Sequence, residues 1–199
     1  MINLFLKAKH WQLFILVVGI PLIFQFVVMQ QMFSSISAEN EPDMDSFMNI
    51  FKVMPYLMLL VMGTLYGWMW SVGLGIGERL PEELKMRTYW FKVSIIFPLV
   101  YMIYVFYLIA NVLTQISQLE SDPNFSFFCL MIPLHIIAMV CGFYNMYFVA
   151  KTIKTAELKR KVQFGDFVGE FFLMWFYFIG IWILQPKVNN MMEDHSDIV

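Results

Sequence analysis

One stretch decides the fold class: residues 53–76 read VMPYLMLLVMGTLYGWMWSVGLGI and contain no Asp, Glu, Lys, Arg or His. A helix of about 20 apolar residues is long enough to cross a hydrocarbon layer about 30 Å thick. Closed barrels also span membranes, but their strands are segments of about 10 residues in which apolar and polar side chains alternate. Because this stretch is continuously apolar, it predicts a transmembrane helix.

The composition of the whole chain agrees with this prediction. Of the 199 residues, 60% are hydrophobic and only 14% are charged. A soluble domain has about 45–50% apolar and about 25% charged residues. Too few charges remain to cover a soluble fold of this size, and nothing in the composition favours nucleic-acid binding.

Five apolar segments follow one another along the chain. They cover residues 11–33, 47–76, 89–116, 125–150 and 167–185. We therefore predict an all-α, polytopic transmembrane helix bundle of about five helices, with one domain over residues 1–186 and a short polar tail at 187–199. The fifth segment is just long enough to cross, and a re-entrant or interfacial helix is the alternative.

The charges between the segments predict the orientation. If Lys92 at the start of segment three is counted with the connection before it, all but Lys52 and Lys187 of the 13 Lys and Arg residues lie near the N-terminus, between segments two and three, or between segments four and five. The other two connections, 34–46 and 117–124, contain acidic residues and no base. Since basic loops stay on the cytoplasmic side, the N-terminus is predicted to be cytoplasmic.

Four prolines suggest an internal repeat. Pro21 and Pro55 are 34 positions apart, and Pro98 and Pro133 are 35 apart. This spacing fits two parallel helix hairpins, a plan that some transporters use. Chance similarity between apolar segments of shared composition is the alternative.

Small residues recur every four positions in the second segment, at Gly63, Gly67, Ser71 and Gly75. Small side chains at this spacing let two helix backbones approach closely. They predict a helix-packing face, whose partner helix lies in the same chain or in another one.

Glu170 is the first candidate for a functional site, because it lies about one turn inside the fifth segment. A carboxylate within a membrane is costly and marks a site of function by default. Asp166 lies four positions earlier. The alternative is that both acids begin a helix, where its dipole favours negative charge.

His135 and Asn145 are further candidates within the fourth segment. Met131 and Met139 flank His135 on the same helix face, and thioethers with imidazole can bind copper(I). Packing is the more common use of methionine in a bundle, so we predict no metal and no cofactor. Asn145 would join Glu170, Asp166 and His135 in an intramembrane polar site, or bond a neighbouring helix.

Both ends of the chain resemble a group of small uncharacterised bacterial membrane proteins. The similar stretches are KAKHWQLF at 7–14, YFVAKT at 147–152, FGDFVGEFF at 164–172 and GIWILQPKVN at 180–189. The resemblance implies a multi-pass protein of the bacterial inner membrane. It implies no activity and no catalytic residue.

Two functions follow as hypotheses. The first is a non-enzymatic accessory or interaction subunit, whose partners are the lipid bilayer and either another membrane protein or a second copy of this chain. The second is a small solute or ion transporter or channel that uses Glu170 and His135. A membrane enzyme is less well supported, because these two residues lie at different depths of the predicted bundle.

Overall fold

The computed structural model describes residues 2–37, 44–118 and 128–193, which confirm the predicted all-α class. The helices are α1 (Ile2–Lys7), α2 (His10–Phe14), a π-helix (Ile15–Gly19), α3 (Ile20–Ser37), α4 (Met44–Gly77), α5 (Tyr89–Gln118), α6 (Phe128–Leu158), α7 (Phe164–Trp175) and α8 (Tyr177–Glu193). A short 3₁₀ turn, Glu82–Leu84, lies between α4 and α5. The central parts of the acidic connections, 38–43 and 119–127, fall outside the described residues.

Four helices are long and apolar enough to cross a membrane. They are His10–Phe33, Lys52–Gly77, Tyr89–Val112 and Cys129–Leu158. The predicted fifth span is instead divided into α7 and α8, which are 12 and 17 residues long. A count of five spans is therefore not confirmed, and neither is the repeat. The predicted polar tail begins within α8, which continues to Glu193.

The chain forms two compact units. Unit 1 consists of Met1–Ser71 and Phe172–Val199, and unit 2 of Val72–Phe171. The two boundaries lie within α4 and within α7, so neither coincides with a connection between helices.

In unit 1, α8 packs against α1 and α2. Leu6 and Leu13 from the N-terminal helices are buried, as are Ile181 and Leu184 from α8 and Trp68 from α4. The two ends of the chain therefore share one core.

The π-helix lies directly before Pro21. Proline has no N–H, and its ring collides with the carbonyl four residues earlier, so the regular hydrogen-bond pattern is interrupted in the turn before it. The turn widens here, and the N–H of Ile20 donates to the carbonyl of Ile15, five residues back. Pro21 therefore explains the π-helical turn within this long apolar helix.

In unit 2, α5 and α6 pack as an antiparallel hairpin. The ring of Phe91 stacks on that of Phe148, with centroids 4.2 Å apart and an interplanar angle of 18°. Gly73 in α4 leaves room for this pair, since a Cβ there would lie 2.5 Å from Cζ of Phe91. The aromatic stack thus depends on a residue without a side chain.

Packing in both units is confined to part of each long helix. In α4 the buried residues begin at Thr64, and in α6 they begin at Asn145. In α5 they end at Met102. The remaining apolar portions of these helices have no buried residue where the structure describes their side chains, and Ile103 and Ile132 are more than half exposed.

The break between α7 and α8 depends on Gly180. A Cβ at this position would lie 1.8 Å from the carbonyl oxygen of Leu173, a backbone atom that cannot move aside alone. We expect Gly180→Ala to force the two helices apart and to destabilise unit 1 by about 1–3 kcal/mol, the usual range of overpacked cores.

The matched control is Gly169→Ala in α7, where a Cβ would have nothing within 4 Å. This change should be neutral or raise stability by up to about 1 kcal/mol, because alanine favours a helix interior more than glycine does. Thermal unfolding of both variants in detergent measures the difference. Equal melting temperatures for the two variants would contradict the proposed close contact at Gly180.

Candidate functional site

Glu170 lies on α7 and is buried, with 7% of its surface exposed. Nζ of Lys154 on α6 lies 3.3 Å from Oε1 of Glu170 and 3.0 Å from Oε2 of Glu157. We call these three residues the Lys154 cluster. One lysine thus lies between two carboxylates, and the cluster joins α6 to α7.

The chain geometry explains how this cluster forms. The connection between Leu158 and Phe164 is short, so the start of α7 remains near the end of α6, where the ring centroids of Tyr147 and Phe167 are 5.2 Å apart. Lys154 is near the C-terminal end of its helix, where the dipole favours a positive charge, and Glu170 is in the N-terminal half of its own. A buried carboxylate requires such a partner, since an unpaired charge in an apolar interior is very costly.

Asp166 occupies the first turn of α7 and does not belong to the Lys154 cluster. Its carboxylate accepts a hydrogen bond from the backbone N–H of Gln163, at 2.8 Å, and two from the guanidinium of Arg160, at 3.0 and 3.3 Å. The side chain therefore reaches back to the residue that precedes the helix, as in half of a capping box. This geometry supports the helix-start interpretation of Asp166.

Asn145 is fully buried in α6 and pairs with Ser94 in α5. Its Nδ2 donates to the carbonyl of Ser94 at 3.0 Å, and its Oδ1 accepts from the Ser94 hydroxyl at 2.5 Å. Ser94 Oγ is also 3.0 Å from the carbonyl of Phe91. The polar groups of both side chains are thereby satisfied across the α5–α6 contact.

His135 is exposed on α6. Its ring centroid lies 6.0 Å from that of Tyr101 in α5. Met139 is exposed on the same helix. Among the described residues no group of three His, Cys, Asp or Glu side chains could hold a metal ion.

The structure does not bring the four polar candidates into one site. Along α6, His135 lies 19 positions before Lys154, the partner of Glu170, and Asn145 lies 9 positions before it. At 1.5 Å per residue these separations are about 28 Å and about 14 Å along the helix axis. The candidates therefore occupy three levels of unit 2.

The small residues of α4 have different surroundings. Gly67 faces Phe5 of α1, since a Cβ there would lie 2.9 Å from the Phe5 ring, whereas a Cβ on Gly63 would have nothing within 4 Å. Ser71 is buried and its hydroxyl donates to the carbonyl of Gly67. Gly75 is buried as well.

A polar cluster that the sequence did not predict lies in unit 1. Gln185 in α8 is fully buried, and its Oε1 accepts from the indole N–H of Trp68, which is also fully buried, at 2.6 Å. Its Nε2 lies within hydrogen-bond distance of three acceptors: the carbonyls of Phe5 (3.0 Å) and Ala8 (2.7 Å) and Oδ1 of Asn189 (2.9 Å). We call this the Gln185 cluster.

The Gln185 cluster satisfies backbone groups that the break between α1 and α2 exposes. The last carbonyls of a helix lack partners within that helix, and a buried one is costly. In the sequence, the sign of this cluster is the amide side chain of Gln185 at the end of the fifth apolar segment. Nothing local indicated that its partners lie about 180 positions away. Beside the cluster, the ring of Tyr177 meets Trp68 edge to face, at 5.8 Å between centroids.

Comparison with protein-family models, with curated proteins and with solved structures finds no match for this chain.

Replacing Gln185 with leucine should release the N-terminal helices. The indole of Trp68 would be left unpaired, which costs about 1–3 kcal/mol for a buried group. The carbonyls of Phe5 and Ala8 would each lose one donor and keep the weaker bonds from the N–H of Ala8 and from Asn189. We expect a loss of roughly 2–4 kcal/mol in unfolding free energy and faster trypsin cleavage after the exposed Lys7 and Lys9.

Asn189→Ala is the matched control for this experiment. It removes a single amide from the same cluster and leaves the bonds from Gln185 to Trp68, Phe5 and Ala8 in place. Cleavage should therefore rise much less than in Gln185→Leu. Unchanged cleavage in Gln185→Leu would contradict the anchoring role of the cluster.

The second prediction for this region concerns pH. The backbone N–H of Gln163, followed by the guanidinium of Arg160, holds the pKa of Asp166 below its ordinary value of 3.8. Since the folded pKa is lowered, the stabilisation is complete above the unfolded pKa and disappears as the pH falls through the folded value. The melting temperature of the wild type should exceed that of Asp166→Asn at pH 7.

This advantage should shrink as the pH approaches 3.8 and vanish below the lowered pKa. Arg160→Gln removes one of the two causes, so it should reduce the advantage without abolishing it. An advantage that persists unchanged in acid would show that the Asp166 charge is not its source. Melting curves in detergent across this pH range provide the measurement.

Proposed function

We propose that this chain is a multi-pass integral membrane protein that acts without enzymatic activity, as an accessory or interaction subunit. The observation that carries the proposal is the uneven packing of the long helices. One part of each long helix contributes side chains to a buried core. The rest of the helix is apolar but carries large exposed side chains, such as Leu22, Phe26, Tyr107 and Ile136. Apolar surfaces of this extent mark contact with lipid or with other proteins.

The polar side chains support the same conclusion. Glu170 is paired with Lys154, Asn145 with Ser94, and Gln185 with Trp68. A binding site for a solute or a reaction requires several polar groups that converge at one place. Here the polar groups stabilise contacts between helices, and the candidates of unit 2 occupy separate levels along α6.

Gly63 supports a contact with a further helix. It lies in the exposed portion of α4 and would have open space around a Cβ. Small residues on an exposed transmembrane face let a second backbone approach closely. The predicted helix-packing face therefore has an open end at Gly63, while Gly67 faces a helix of the same chain.

For localisation we propose the bacterial inner membrane, with the N-terminus in the cytoplasm. The supporting observations are the basic residues near the N-terminus, between α4 and α5, and between α6 and α7. The Lys154 cluster would then lie toward the cytoplasmic side.

One observation favours the second candidate function, a small transporter or channel. A buried carboxylate that shares a lysine with another carboxylate is an arrangement that could relay protons or cations. Glu170, Lys154 and Glu157 have this arrangement. His135 contributes nothing to it, because it lies about 28 Å away along α6.

The interaction proposal predicts an assembly larger than one chain. Native mass spectrometry of the full chain, extracted gently from membranes, should detect it with bound protein. Gly63→Leu should weaken the assembly by obstructing the close approach of a helix. Gly77→Leu, at the end of α4 where a Cβ would also meet open space, should leave it intact. A strictly monomeric chain would contradict the proposal.

A proton-flux measurement separates the two candidate functions. The full chain is reconstituted into vesicles that contain a pH-sensitive dye, and Glu170→Gln is compared with the wild type. The interaction subunit should give no more flux than empty vesicles in either form. Flux in the wild type that Glu170→Gln abolishes would favour the transporter instead.

A further inference from the structure

The first apolar span lacks the packing that the other long helices have. Leu13 is its one buried residue between His10 and Phe33, all of which the structure describes. Leu22, Ile23 and Phe26 in α3 are each more than half exposed. Lipid tails could cover such side chains at no cost, so their exposure alone identifies no partner.

Gln25 differs from these apolar neighbours because lipid cannot satisfy it. Its side chain is exposed on α3 and has no hydrogen-bond partner among the residues that the structure describes. It lies 8 positions before Phe33, which is about 12 Å from the nearer end of the span. A glutamine side chain is too short to reach water from this depth. An amide left without a partner in hydrocarbon is unfavourable, so a hydrogen-bond partner on a neighbouring membrane helix would stabilise it.

We propose that the partner is a second copy of this chain, with α3 of each copy side by side and Gln25 of one copy bonded to Gln25 of the other. The inference rests on the proposed interaction function and names its partner. Two copies enter the membrane in the same direction, so their Gln25 side chains lie at the same depth. Each amide both donates and accepts, so a symmetric pair satisfies both.

The residues around Gln25 fit this contact. Leu22, Gln25, Met29 and Met32 recur at spacings of three and four, which places them on one face of α3. Ile23, Val27 and Gln30 lie on the opposite face. Apolar residues at alternating spacings of three and four, interrupted by one polar residue, are typical of coiled coils. There the polar residue fixes the register of the helices and how many of them associate. Adaptable Met side chains on the same face can fill the remaining space.

Cysteine cross-linking of the full chain in membranes tests the geometry. The two native cysteines, Cys129 and Cys141, are first replaced by alanine. Single cysteines at Leu22 and Met29 should then form disulfide-linked dimers on oxidation, whereas cysteines at Ile23 and Val27 should not. Equal cross-linking at all four positions, or none at Leu22 and Met29, would overturn the proposal.

Energy transfer between labelled full-length chains in phosphatidylcholine vesicles tests the role of the amide. Gln25→Leu should weaken dimerisation about 5- to 30-fold, as expected for one hydrogen-bonded contact between membrane helices. Gln25→Asn, which retains the amide, should restore part of the loss. Gln30→Leu is the matched control on the opposite face and should have no effect. Since Gln25 has no hydrogen-bond partner among the residues that the structure describes, its replacement should leave helix content by circular dichroism unchanged.

The outcomes separate this inference from the proposed function. Dimerisation that is equally strong in Gln25→Leu overturns the inference, while self-association as such remains. A monomer that is found only in assemblies with a different membrane protein overturns the inference and retains the interaction function. A monomer with no companion in native membranes overturns both.

Discussion

A polar group surrounded by apolar side chains must find a hydrogen-bond partner or an opposite charge within reach, and this constraint shapes both units of the chain. The cost of leaving such a group unpaired exceeds the net benefit of most single contacts. Among the described residues, the buried amides and the buried carboxylate are accordingly paired across helices: Gln185 with Trp68, Asn145 with Ser94, and Glu170 with Lys154. These pairs fix which helices lie next to one another, because apolar contacts alone would permit many arrangements.

The Gln185 cluster shows how much one amide can organise. It connects α8 to the carbonyls at the break between α1 and α2, and it also binds the indole of α4. The beginning and the end of the chain consequently share one core. In unit 2 the corresponding connection is made by the Lys154 cluster, which attaches α7 to α6 through charges instead of amides.

The same constraint gives meaning to an amide that lacks a partner. Gln25 stands out because its surroundings resemble those of Leu22 and Met29, yet its chemistry requires something that lipid does not supply. The polar residues thus fall into two groups. Those with partners within the chain explain its packing, and Gln25 indicates where a further chain would bind.

The sequence by itself determined the all-α class, because a continuous apolar run of this length has few alternatives in any protein. It predicted about five spans, and the structure describes four helices of sufficient length and apolarity. The sequence also identified Glu170, Asn145 and Gly67 as unusual residues, since polar or small side chains are conspicuous in such runs. Only the tertiary structure decided which partner each one has and that the fifth segment breaks before Gly180. The physical reason is that apolar length is a local property of the chain, whereas partners such as Gln185 and Phe5 are separated by almost the whole sequence and meet only when the helices pack.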